Sequence, residues 1–295
     1  MVRTDRGQLL LIGAVLIGLT ILGTVVMLNG MQYADATGTQ TEYRVLDDAE
    51  RTEEMVERDV GRLTNQILAK NPDPGNAFTY VESNVTTYHN YTRNMTLDGS
   101  SGTVNVTYND SVTRGHQGYR IQQTTSQPFA PGTPHLVVDD VEYVRSFVLR
   151  IDSFSAPGRT NSFDVVARNA TTGETWKLEA YEYPPTPAAR VTVTTADGSV
   201  THCDTDAAPE LDLVQGTNES GECSFPGVRE DIGTPSSFRF EGDDDVEGTY
   251  RALVEGNPRV AADDYPVRPG VTVRYRSAEL SYNRTILVED PEAPR

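Results

Sequence analysis

Leu9 to Leu28, LLLIGAVLIGLTILGTVVML, is a run of twenty residues without a charge, in a chain otherwise crowded with carboxylates. At a rise of about 1.5 Å per residue such a run covers about 30 Å, the thickness of a bilayer's hydrocarbon core. The sequence therefore predicts a transmembrane helix over residues 9–31, and the lipid bilayer is the first partner it implies. Arg3 and Arg6 precede the run, whereas Asp35 and Glu42 follow it before the next basic residue, Arg44. The positive-inside bias leaves residues 1–8 in the cytoplasm and places the large remainder outside, giving a single-pass membrane protein with an extracellular domain. The run is longer than the apolar core of a secretory signal, and only a weak Ala34-Asp35-Ala36 match follows it, so a signal anchor is expected.

The formal net charge is -18, and of 25 basic residues only Lys70 and Lys177 are lysine. Acids spread along a chain nearly devoid of lysine make a strongly hydrated surface, and the composition resembles that of haloarchaeal proteins. A field of this sign repels phosphate, which excludes nucleic acid as a partner. Two cysteines, Cys203 and Cys223, form no metal-binding pattern, and outside the membrane a disulfide between them is the expected state. Eight Asn-x-Ser/Thr sequons begin at Asn84, Asn90, Asn94, Asn105, Asn109, Asn169, Asn218 and Asn283, all beyond the apolar run. They mark an exposed glycoprotein surface.

Arg6-Gly7-Gln8, directly before the apolar run, resembles the class III signal of type IV pilins and archaellins, over about the first 70 residues. The resemblance implies processing between Gly7 and Gln8 by a prepilin peptidase, leaving Gln8 as the new N-terminus. It also implies other pilin-like subunits as partners. Ile12 stands at the fifth mature position, where many pilins carry glutamate.

Residues 32–71 read as an amphipathic helical stalk. Val45, Ala49, Val56, Val60, Leu63 and Ile67 recur at helical spacing with acids between them, and Asn71-Pro72-Asp73-Pro74-Gly75 ends the helix. From residue 76 to 288 the pattern changes to short β-branched and aromatic segments punctuated by turns. Phe78-Thr79-Tyr80-Val81, Thr103–Tyr108, Ser146–Ile151, Phe163–Val166, Arg190–Thr194 and Val271–Tyr275 are examples. These predict a β-rich extracellular domain, sandwich-like, and residues 289–295 a disordered tail. The expected fold class is α+β: a transmembrane helix, a helical stalk and an all-β domain.

No catalytic motif, phosphate-binding glycine loop or cysteine-based zinc pattern occurs. His89, His116, His135 and His202 share no ligand spacing, and Asp243-Asp244-Asp245 and Asp204-Thr205-Asp206 read as solvated acidic surface. No catalytic residue, cofactor or metal is expected, and an enzyme is not. The function expected is a minor or accessory pilin-like subunit of an archaeal surface filament or its assembly machinery. The alternative is a permanently anchored surface glycoprotein whose β domain binds another surface protein or a glycan.

Overall fold

A computed structural model describes residues 47, 49–97, 102–129, 135–183, 188–242, 246–278 and 280–291. Residues 49–69 form the first helix, α1. Asn71 stops it in the left-handed region (φ 49°), a conformation asparagine tolerates better than most residues. Pro74 then opens a second helix, α2 (Pro74–Leu97), at the position where its missing N–H costs nothing. The strand alternation begins only at β1 (Gly102–Tyr108), whose residues alternate buried and exposed. A short helix, α3 (Asp110–Gly115), leads to β2 (Gly118–Pro128) and to the 19-residue β3 (His135–Ser153).

The chain continues through β4 (Phe163–Arg168), β5 (Thr175–Tyr183), β6 (Ala188–Thr194) and β7 (Val200–Thr205). Short β8 (Glu210–Asp212), β9 (Thr217–Asn218) and helix α4 (Val228–Ile232) follow. Then come β10 (Ser237–Gly242), β11 (Glu247–Pro258), β12 (Ala262–Asp264), β13 (Gly270–Ser277) and β14 (Ser281–Leu287).

These strands make two antiparallel sheets. The large one has eleven strands along the path β12-β2-β11-β3-β10-β4-β5-β6-β7, with β8 on β3 and β9 on β8; the small one runs β1-β13-β14. The large sheet coils into a sandwich-like lobe. Its inner face is aromatic: Phe129 lies 4.6 Å from Phe163, Phe163 5.2 Å from Phe240, and Phe240 5.2 Å from Tyr250 between ring centroids. Trp176 is fully buried there and donates its indole N–H to the Pro226 carbonyl. Each such ring, taken out of water, contributes about 1.5–3 kcal/mol.

The small sheet carries a second core. Val104, Val106, Val271, Val273 and Ile286 face the helices, meeting Ala49, Val56, Val60 and Leu68 of α1 and Ala77, Val81 and Val85 of α2. Tyr143 of β3 and Leu253 of β11 belong to this cluster, while Val144, Phe147 and Ala252 on the same strands belong to the other. Strands β3 and β11 thus serve both lobes, one with each face.

The expected architecture is corrected in four respects. Among the described residues no helix is long and apolar enough to cross a membrane. The stretch 9–31, read as the span, lies outside them. The helix read as a stalk is no separate element either: its apolar seam is sealed by α2 and the small sheet. Phe78-Thr79-Tyr80-Val81, read as the first strand, lies in α2, where Ala77, Val81 and Val85 bury a face at spacings of four. Glu289 to Pro291, placed in the tail by sequence, are packed: Asp290 is buried, its N–H donates to Tyr143 Oη and its carboxylate accepts from Asn65.

Candidate functional site

Beyond the edge of the helical pair, the outer face of β2, β11, β3 and β8 lies open. The register places Gln122, Arg251, Val148 and Asp212 in one row across the four strands. Thr249, Arg150 and Glu210 form the next row. Side chains in one row project to one face, because antiparallel partners share an orientation. The row before holds Arg120, Leu253 and Ser146, and it is the last to be roofed by the second core. Two adjoining clefts result, of about 280 and about 230 Å3, which share Val148 and Arg251. Asn71 closes one and Asn65, Asp290 and Gln215 the other.

The cleft is polar and charged in both signs. Arg150 pairs with Asp152 at 3.0 Å. Arg251 is half-buried, and its side chain makes no hydrogen bond or ion pair among the described residues. Burial raises the Asp212 carboxyl above the usual aspartate range, against the N–H groups of Gln215 and Val214 that hold its Oδ1. Ser146 Oγ is buried without a hydrogen-bond partner among the described residues. A nucleophile needs a base within hydrogen-bond reach, and Ser146 has none among the described residues.

A second cluster was not legible from sequence spacing. His116 after α3, Glu142 of β3 and Glu255 of β11 bring one ligand-type atom each to within 4.8 Å of one another. Both oxygens of the buried Glu255 already accept from Arg268, at 3.1 and 2.6 Å, and Arg268 also reaches Glu289 at 3.3 Å. His116 Nδ1 stands 3.9 Å from Glu255. Of the trio, the buried Glu255 is thus already paired with Arg268, and His116 and the exposed Glu142 stand at its rim. The other histidines lie elsewhere: His89 Nδ1 accepts from Val106 N–H, His202 lies beside Thr192, and His135 lines a third cleft.

Residues 3–138 match the model of a family of unknown function, DUF7261. No curated protein and no solved structure matches the chain.

Of the residues marked by sequence, Cys203 and Cys223 are joined by a disulfide with Cα atoms 5.5 Å apart. It ties the outermost strand, β7, to the loop after β9. Gly7 and Gln8 lie outside the described residues, as does Asp243-Asp244-Asp245. The sequons fall into different settings. Asn90, Asn105 and Asn283 are exposed, Asn84 bonds the Tyr80 carbonyl within α2, and the side chain of Asn94 lies outside the described residues. Asn109, Asn169 and Asn218 are built into turns and caps through their own amide groups.

Proposed function

We propose that this chain is a non-catalytic structural subunit at the cell surface, pilin-like in organisation and minor or accessory in role. The observation that carries the reading is the way α1 is cemented into the β lobes. Arg145 of β3, fully buried, donates to Asn65 and to the Gly61 carbonyl of α1, and to the Val267 and Val288 carbonyls, which lie side by side before β13 and after β14 at one end of the small sheet. Tyr282 and Arg284 of β14 both bond Glu53, the arginine at 2.8 Å. A pull on the segment before α1 is therefore borne by the second core and by β3, the strand it shares with the first, as a subunit built into a larger assembly requires.

Three further features support it. The uncharged stretch Leu9–Leu28 favours a membrane location for the segment before α1. The disulfide favours the oxidising side of that membrane. The DUF7261 match runs from the N-terminal segment through α1 and α2 into β3, so it joins that segment to the helices that anchor it.

A second reading, an anchored surface protein whose β lobe binds a partner protein or a glycan, is favoured by the open polar cleft around Arg251. Mass spectrometry of the N-terminal peptide from cell-surface material separates the two. A chain beginning at Gln8 supports the subunit reading; a start at Met1 or Val2 supports the permanently anchored one.

A further inference from the structure

We propose that Asn90, Asn105 and Asn283 of the smaller lobe carry glycan, and that the sequons at Asn109 and Asn169 are structural and carry none. The inference rests on the extracytoplasmic placement proposed above.

The strand register makes the case for the first set. Asn105 of β1 pairs with Arg274 of β13, which pairs in turn with Asn283 of β14. All three are exposed and lie on the face of the small sheet turned away from the helices. Two strand spacings separate the asparagines, roughly 10 Å. Each sequon lies in an extended strand, so its threonine returns to the same face two residues on. Asn90 is exposed on α2, in the helical layer on the other side of the same lobe. None of the three uses its side-chain amide in a hydrogen bond among the described residues. A glycan on any of them projects into water and displaces nothing.

The other two have no amide to spare. Asn109 is the N-cap of α3: its Oδ1 accepts from Val112 N–H at 3.1 Å, and its Nδ2 donates to Thr272 Oγ1 at 3.2 Å. Asn169 holds the β4–β5 turn, its Oδ1 accepting from Thr171 and Thr172 N–H while its Nδ2 donates 2.9 Å to the Ile232 carbonyl, at the C-terminal end of α4. Both are half-buried.

The transfer takes an oligosaccharide from a lipid-phosphate-linked donor. Nδ2 attacks the anomeric carbon, a C–N bond forms as the C–O bond to the lipid phosphate breaks, and the phosphate leaves with the electron pair. The proton lost from Nδ2 passes to a base of the transferring enzyme. At Asn169 the new substituent would sit where Nδ2 meets Ile232, so a modified chain could not close that turn.

The test is site-resolved glycopeptide mass spectrometry of the full-length chain, made in an N-glycosylating archaeal host and alkylated at lysis. Glycan on Asn90, Asn105 and Asn283, with bare Asn109 and Asn169, is the expected result. Glycan on Asn109 or Asn169, or bare Asn105 and Asn283 beside an intact Cys203–Cys223 disulfide, overturns the inference alone. Bare sites beside two free thiols overturn the placement beneath it as well. In unglycosylated protein, Asn109→Gln is expected to lower the melting temperature by roughly 2–4 °C through the lost cap. Asn105→Gln and Asn283→Gln are expected to leave it unchanged. Equal melting temperatures for all three would overturn the structural role.

Discussion

Arg145 illustrates how much one residue in this chain holds. Its guanidinium is buried, burial lowers its pKa, and its bonds go to α1, to the segment before β13 and to the end of β14. Arg145→Met would orphan several buried acceptors at once, and we expect it to lower stability by about 3 kcal/mol in urea titrations. Gly61 is the complementary case. A Cβ there would stand 2.7 Å from the Glu289 carbonyl oxygen and 2.8 Å from the Pro291 ring. Gly61→Ala should cost about 1–3 kcal/mol and loosen the C-terminal segment. Asp212 sets a pH dependence. Its folded-state pKa is raised by burial, so the folded protein holds the proton more tightly than the unfolded chain. Stability therefore falls as pH rises through the window just above the ordinary aspartate value of 3.8. Asp212→Asn keeps the acceptor for Val214 and Gln215 without the buried charge. It should be more stable than the parent at pH 7, with the difference vanishing below about pH 3.8 in thermal scans. None of these roles was legible in sequence, because the partners of each residue come from distant segments. The pairing of Cys203 with Cys223 was legible, because only two cysteines exist.

Among the elements, the strands declared themselves. Thr103–Tyr108, Phe163–Val166, Arg190–Thr194 and Val271–Tyr275 all lie in strands, where β-branched residues alternate with polar ones. The helix α2 did not declare itself. Its apolar residues Ala77, Val81 and Val85 are few, its exposed positions are threonine, tyrosine and asparagine, and Phe78-Thr79-Tyr80-Val81 has strand propensity. Packing decided the matter: the α1 seam and the inner face of β1 both needed cover, and a helix starting at Pro74 supplies it. Val85→Asp should separate α2 from β1 and lower stability by about 3 kcal/mol, while Thr86→Asp on the exposed side should be near neutral. Strand β7 is the last of its sheet, and the disulfide holds it to the loop after β9. Reduction should lower stability by about 3 kcal/mol, the value for a loop of this length, with the first loss of hydrogen-exchange protection in β7.

At the scale of the molecule, two cores share two strands. The inner faces of β3 and β11 close the large lobe, and their outer faces, at Tyr143 and Leu253, support the small sheet and its helices. What remains of that outer face is the cleft around Arg251. Sequence periodicity tells that a face is half polar, but not which other element covers it, so neither the cleft nor the Glu255–Arg268 pair was foreseeable. The same limit explains the misjudged stalk: the α1 seam was visible in residues, the second helix that covers it was not. Locking α1 into both lobes is the feature on which the proposed role as a load-bearing surface subunit depends. Native-state hydrogen exchange tests it most directly. The amides of residues 56–68 should exchange only through opening of the whole domain, with protection equal to that of β13. Exchange of those amides well ahead of β13 would show a helix that comes away by itself, and would contradict the account.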